Sequence, residues 1–231
     1  MSLASVNSRL VECRACPRLV EWRERVATEK RASFVDDDYW GRPVPGFGDP
    51  TAPVVVVGLA PAAPGANRTG RMFTGDRSGD FLFASLHRTG FANQPHSDSV
   101  GDGLSLSGIY ITSMVKCAPP ANKPTPEEQR TCTPWLEAEL DALPTPRMIV
   151  ALGALAYTRV VSMAPGRGWG VPSPIPRFGH GIEVNLAGGP VLTGCYHPSQ
   201  QNTFTGRLTP DMIDEVFRRA SLARWVGDAS G

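Results

Sequence analysis

Cys13, Cys16, Cys117 and Cys132 are the residues whose type and spacing most directly suggest chemistry. Cys13 and Cys16 form a C-x-x-C pair, able to grip one metal centre. Cys117 and Cys132 lie far along the chain, with fourteen residues between them. Four thiolates from two distant segments can hold a zinc ion or a 4Fe–4S cluster, and spacing alone leaves both open. The plainer reading is that they are ordinary buried cysteines, which pack as small hydrophobes. That reading is fair for the fifth, Cys195, which sits in an apolar run. It is poor for Cys13 and Cys16, which lie among charged residues. An odd count in a chain expected inside the cell speaks against a disulfide framework.

Three polar, Gly/Pro-rich segments carry the remaining candidates. The first, GLAPAAPGANRTGRMFTGD (58–76), opens with small residues and prolines. Gly58, Leu59 and Ala60 would let a flat ligand approach the backbone. The segment lacks both the Gly-Lys-Ser/Thr ending of a P-loop and the Rossmann glycine pattern. Arg68 and Arg71 could contact phosphates, or be solvated surface charges. Phe73 could stack on a base, a contact of ~1–3 kcal/mol. Asp76 is the one acid of the segment. Taken alone, core packing for Phe73 and helix capping for Asp76 are the plainer readings. In the second segment Asn122 offers a donor and an acceptor to a base edge, or serves as a turn residue between prolines. The third, HPSQQNTFTGR (197–207), is almost wholly hydrogen-bonding. His197 could donate to a developing oxyanion, although a lone histidine is more often structural.

These segments need a scaffold. Four short apolar runs, VVVVGL (54–59), IYITSM (109–114), MIVAL (148–152) and VLTGCY (191–196), lack alternation and read as strands buried on both faces. Helical patterns lie between them. Asp80–Thr89 places apolar residues on one side. Thr125-Pro-Glu-Glu128 is a capping box that opens a helix to about Leu140, which Pro134 should kink or restart. Leu155–Met163 and the stretch after Thr209 read as two more helices, and Leu10–Ala27 as a further one that Pro17 breaks or begins. Residues 165–181 read as a surface excursion. The expected fold is α/β, a three-layer α/β/α arrangement with a central four-stranded parallel sheet, in one domain spanning 1–231. Ligands bind beyond the carboxyl ends of such strands, and three of the four runs feed the three segments above.

Composition narrows the class. The chain has 231 residues, 41% of them apolar, and a formal net charge of +1. That fits a soluble globular protein and rules out a nonspecific polycation, though a local basic face suffices for DNA. No apolar run nears the ~20 residues of a membrane helix, and MSLASVNSRLVECRAC lacks a signal pattern. A cytoplasmic location is expected, associated with the nucleoid if the source is prokaryotic. Nothing suggests an obligate oligomer, so a monomer is expected.

The segment 58–76, the four cysteines and HPSQQNTFTGR together resemble the family 5 uracil-DNA glycosylases, in the iron–sulfur branch of that superfamily. The resemblance runs from Cys13 to the last helix. It implies a four-stranded parallel sheet and a 4Fe–4S cluster, structural in role, on Cys13, Cys16, Cys117 and Cys132. It implies release of uracil, and of deaminated purines such as hypoxanthine, from single- and double-stranded DNA by base flipping, leaving an abasic site. Phe73 would then stack on the flipped base, with Gly58, Leu59 and Ala60 beneath it and Asn122 on its edge. Arg68, Arg71 and Arg207 would hold the backbone. Residues from Ser199 to Thr205, with Ser199, Gln200, Gln201 and Asn202 among them, would fill the gap in the duplex. His197 would stabilise the uracil anion and Asp76 the sugar cation or a water. Two departures stand out. Pro64 occupies a position where the family often has histidine. Leu59–Ala62 has no acid or amide to position water, which leaves Asp76 as the catalytic acid. The rival readings are a noncatalytic iron–sulfur DNA-damage binder, and a metal-dependent nucleotide hydrolase, which would need acidic clusters that these segments lack.

Overall fold

The computed structural model describes residues 1–223, and residues 224–231 of the expected domain lie outside them. In chain order the elements are α1 (Leu3–Leu10), α2 (Pro17–Glu29), β1 (Phe47–Gly48), β2 (Val54–Gly58), α3 (Ala66–Thr69), α4 (Arg77–Arg88), β3 (Ile109–Ser113), α5 (Pro126–Ala142), β4 (Met148–Leu152), α6 (Ala154–Met163), β5 (Glu183–Asn185), β6 (Val191–Cys195), α7 (Gln200–Phe204) and α8 (Pro210–Leu222). The sheet order is β1-β3-β2-β4-β6-β5. The inner four strands are the four apolar runs, all parallel. The expected four-stranded parallel sheet is thus the core of a six-stranded one, flanked by antiparallel β1 and β5. These edge strands are two and three residues long, too short to leave an apolar pattern.

The strands alternate between two cores. Val54, Val56, Ile109, Ile111 and Val150 pack with Leu82 and Phe83 of α4 and Ile213 and Phe217 of α8. Val55, Val57, Tyr110, Ile149 and Leu192 pack with Leu136 of α5 and Tyr157 and Val160 of α6. That burial on both faces explains the unbroken apolar runs and makes the three layers. Among the described residues no helix is long and apolar enough to cross a membrane.

Helix ends follow their caps. Thr125 and Glu128 form the capping box of α5. Pro134 lies inside α5 without ending it. Its missing N–H would have met the carbonyl of Arg130, an exposed residue that water can serve, and Thr133 Oγ1 donates to the Gln129 carbonyl at 2.7 Å. The expected Leu10–Ala27 helix is present from Pro17 onward as α2, and α1 (Leu3–Leu10) before it was not expected. α1 stops at Leu10, Cys13 lies in the connection, and Pro17 starts α2 with Cys16 at its N-cap.

A buried ion pair locks α5 to the sheet. Lys116, just beyond β3, is 1% exposed and Glu139 is wholly buried. Lys116 Nζ bonds both Glu139 and Thr112, and Glu139 also accepts from Thr112 Oγ1 at 2.5 Å and from the Gly46 N–H at 2.9 Å. Removing one member strands the other charge, at a cost of about 3–5 kcal/mol. Glu139→Ala is expected to lose that much in denaturant unfolding; a loss under about 1 kcal/mol would show that water or a neighbour takes the partner's place.

Candidate active site

Gly58 ends β2, Ser113 ends β3 and His197 follows β6, so three parallel strands deliver residues to one edge. Together with Ala60, Pro61, Ala62, Ala66, Met72, Phe73, Asp76 and Ser78 they line a single narrow cleft. The edge is the one where α/β sheets hold their ligands. Of the sequence candidates, Gly58, Ala60, Phe73, Asp76 and His197 meet here. Leu59 is adjacent, but its side chain packs into the core beneath α5 and α6.

Phe73 reaches the cleft through a backbone turn that few side chains adopt. Its φ is 53°, left-handed, a conformation that costs about 1–3 kcal/mol in a non-glycine residue. The ring stands over Gly58, where an added Cβ would come within 3.1 Å of it. The His197 ring lies nearby, 6.0 Å between centroids and tilted by 36°.

Asp76 is both cap and cleft wall. Its Oδ1 accepts from the Gly79 N–H at 3.0 Å and caps α4. Desolvation raises its pKa above the ordinary aspartate value, opposed by the backbone N–H groups of Gly79 and Ser78. The second oxygen, Oδ2, lies against Gly65, where a Cβ would sit 2.0 Å away. Only glycine leaves the carboxylate its place. Capping, the plainer reading of the sequence, is correct and does not compete with a place in the cleft.

His197 is held by its backbone. Asn202 Nδ2 donates to the His197 carbonyl at 2.8 Å, which turns α7 back under the loop. Among the described residues its ring makes no hydrogen bond to protein. Burial pushes its pKa down to about 4. The imidazole is therefore neutral at pH 7 and has an N–H to offer a ligand. His180, passed over in the excursion before β5, accepts from the Tyr196 N–H at 3.2 Å and bonds the Met212 carbonyl at 3.1 Å. It braces the residue beside His197. Ser113 and Ser78 were also missed, being hidden in an apolar run and in a helix start; the strand-end rule would have flagged Ser113.

Two expected phosphate contacts are corrected. Arg68 is ion-paired to Asp37 at 2.5 Å, donates to the Pro64 and Gly75 carbonyls, and stacks over Phe34 at 4.0 Å. Arg71 is buried, forked onto Asp102 at 2.6 and 3.0 Å and bonded to Thr74 and Ser97. Both guanidiniums shape the segment from within, because acids distant in sequence (Asp37 and Asp102) come to meet them. Arg207 differs: it is exposed and stacks over Tyr196 at 4.6 Å. Ser199 is the N-cap of α7, and Gln200 and Gln201 are exposed beside it. Phe204 ends α7 with 72% of its surface open. Asn122 does not line the cleft. It ends a 3-10 turn with φ of 55°, exposed, where Arg18 Nη2 ties the next residue's carbonyl to α2 at 3.2 Å. The turn reading of Asn122 is the one the structure supports.

The cysteines gather at one patch. Cys117 and Cys132 pack with Leu19 and Val115, and Cys16, Trp135 and Ala60 close over them. Ionisation of Cys16 is opposed by Cys13, of Cys117 by Cys13 and Cys16, and of Cys132 by Cys117 and Cys16. Burial is the larger cause of all three upward shifts, and the couplings link Cys13, Cys16 and Cys117 to one another and Cys132 to Cys16 and Cys117. Ala60 belongs to both this patch and the cleft. Cys195 is a core residue, buried against the α4–α8 side.

A weakly polar slot with an aromatic wall, one buried carboxylate and one neutral imidazole suits hydrolysis at a bond to a planar ring. The comparisons with known proteins agree in class. A family profile of the uracil DNA glycosylase superfamily matches residues 45–221, and the chain belongs to that superfamily. It is 56% identical over 220 residues to the type-5 uracil-DNA glycosylase of Mycobacterium tuberculosis (strain CDC 1551 / Oshkosh), covering 95% of this chain and 81% of the relative. It is 51% identical over 211 residues to the type-5 enzyme of Thermus thermophilus, covering 91% and 93%. Identity to a type-4 uracil-DNA glycosylase of Thermotoga maritima is 30% over 195 residues, covering 84% and 80%.

In an NMR titration of the imidazoles, His197 is expected to stay neutral from about pH 8 down to about pH 5. A midpoint near the ordinary ~6.5 would show that the ring is solvated and the cleft open to water.

Proposed function

We propose that this chain is a uracil-DNA glycosylase that flips its target nucleotide and hydrolyses the N-glycosidic bond, leaving an abasic site. The observation that carries the reading is the convergence of Phe73, Asp76 and His197 on one cleft at the sheet's carboxyl edge. The base stacks against Phe73 in the cleft that Phe73 lines together with the small residues of 58–62. As the bond stretches, negative charge gathers on the pyrimidine and positive charge on the sugar. A neutral His197 donates a hydrogen bond to the anionic oxygen. A positioned donor of this kind is typically worth a hundredfold or more in rate. The ionised Asp76 carboxylate, held away from bulk water, stabilises the sugar cation more strongly than a solvated one would. It also offers an acceptor to the attacking water. Arg207 contacts phosphate, and Ser199, Gln200, Gln201 and Phe204 fill the gap left in the duplex. With no strong polar discriminator in residues 58–62, other deaminated bases such as hypoxanthine are accepted. A noncatalytic damage binder would have no use for a desolvated carboxylate and a neutral imidazole lining one cleft.

The cofactor proposed for the cysteine patch is a 4Fe–4S cluster. The donor set fits: four thiols from three chain segments, with Cys117 and Cys132 packed together under Cys16 and with Cys13 coupled to Cys16 and Cys117. Four thiolates suit zinc or a cluster equally by chemistry, and the resemblance of the sequence to the iron–sulfur branch of the superfamily is what favours the cluster. Cys13, Cys16, Cys117 and Cys132 would hold it. Its chemistry there is cross-linking, joining the α1–α2 connection, the β3 exit and α5.

Release of free base from single- and double-stranded oligonucleotides carrying uracil, hypoxanthine or xanthine tests the activity. Asp76→Asn and His197→Ala are each expected to slow single-turnover uracil release about a hundredfold or more while DNA binding persists. Full rates in both would remove the assigned roles, and binding without release by the parent would favour the noncatalytic reading. Because Asp76 acts ionised and its pKa is raised, release should fail as pH drops through a midpoint above the ordinary ~3.9. Arg207→Ala should lower the slope of log affinity against log salt by about one. Arg68→Ala should leave that slope unchanged and lower stability instead. A reversed pattern would return Arg68 to the DNA face.

A further inference from the structure

Arg23 is the largest fully buried side chain of the described residues, 2% exposed, in the middle of α2. A guanidinium stays charged in protein, and burying it without a counter-charge is strongly unfavourable. Among the described residues the nearest carboxylate oxygen is Glu24 Oε1, 3.9 Å from Nη2. Glu24 is already forked onto Arg14 at 2.5 and 3.0 Å. Among the described residues Arg23 Nε has no hydrogen-bond partner. What the buried cation does touch is the cysteine patch. Nη1 donates to Cys117 Sγ at 2.9 Å, and Nη2 donates to the Cys13 carbonyl at 3.1 Å. One planar fork thus spans two of the segments that carry the sulfurs.

We propose that Arg23 is the built-in counter-ion of the cysteine-held cluster, a positioning residue that joins Cys13 to Cys117 and stabilises the cluster's more reduced state. The proposal rests on the 4Fe–4S reading above. A cluster bound by four thiolates is negatively charged overall, and each added electron makes it more so. A buried positive charge with an N–H aimed at a ligand sulfur favours the electron-rich form and raises the reduction potential. The second N–H toward sulfur, from the Lys116 backbone to Cys132 Sγ at 3.2 Å, acts in the same sense but carries no net charge of its own. The effect also has a route to the cleft. The Arg23 carbonyl accepts from Asn67 Nδ2 at 3.2 Å, and Asn67 is buried in α3 next to Ala66, a cleft-lining residue. The residue that neutralises the patch is therefore bonded to the segment that carries Phe73 and Asp76.

The test compares the parent protein with Arg23→Gln and Arg23→Lys, all purified without oxygen. It reads iron and sulfide content, visible absorbance, midpoint potential and the rate of iron loss to a chelator. Arg23→Gln is expected to shift the potential downward and to lose iron about tenfold faster, within the range that partners of metal ligands control. Arg23→Lys keeps the charge but not the fork. It should recover most of the potential while still losing iron faster than the parent. A merely structural role would move neither potential. An unchanged potential in Arg23→Gln, whatever its rate of iron loss, would overturn the proposal. Where that variant does not fold, equal potential and equal iron loss in Arg23→Lys and the parent would do so. A parent protein with no iron and no visible band would instead remove the cluster itself, and this proposal with it.

Discussion

Parallel pairing of β2 with β3 and β4, and of β4 with β6, is the constraint on which the rest depends. The paired register from Gly58↔Ser113 on one side to Leu152↔Cys195 on the other ends the strands level with one another. Their exits then share one edge, however far apart they are in sequence. Residues 58, 113 and 197 become neighbours, and backbone bonds continue past the strands, from the Met114 N–H to the Gly58 carbonyl and from the Val115 N–H to the Leu59 carbonyl, each at 3.0 Å. Parallel strands are also buried on both faces, so the connecting chain must cross over and under the sheet. That requirement supplies α4 and α8 on one side and α5 and α6 on the other. Lys116 and Glu139 then fix the β3 exit to α5 through an ion pair that water does not reach.

The same burial that makes the core sets the chemistry of the edge. It holds His197 neutral and Asp76 above its ordinary pKa, two opposite charge effects of one cause. The imidazole becomes a donor without a charge, and the carboxylate becomes a more effective partner for a cation. Neither group is tuned by an ion pair of its own. The ion pairs of this region, Arg68–Asp37 and Arg71–Asp102, lie behind the cleft and hold its wall. Electrostatics is thus divided between two layers, with paired charges building the segment and unpaired polar groups facing the ligand.

Much of this was legible in the sequence because burial on both faces leaves an unmistakable apolar run. All four inner strands and the five longer helices of the domain left their pattern, and Gly58, Ala60, Phe73, Asp76 and His197 were expected in one place. What was not legible depends on partners distant in the chain. Arg68 and Arg71 looked like free charges since Asp37 and Asp102 are each 31 residues away. Asn122 looked like a base reader because its prolines do not reveal which way a turn faces. Arg23 gave no signal at all: in sequence it is one arginine among several on a charged helix, and only packing shows it against sulfur.

The most direct test of the central claim is a structure of the protein bound to duplex DNA carrying one 2′-fluoro-arabino-uridine, whose glycosidic bond resists hydrolysis. The account predicts the uracil ring outside the stack and against Phe73, with a pyrimidine oxygen within hydrogen-bond reach of His197 and C1′ facing Asp76. A uracil left in the helix, or flipped into any other part of the surface, would contradict it.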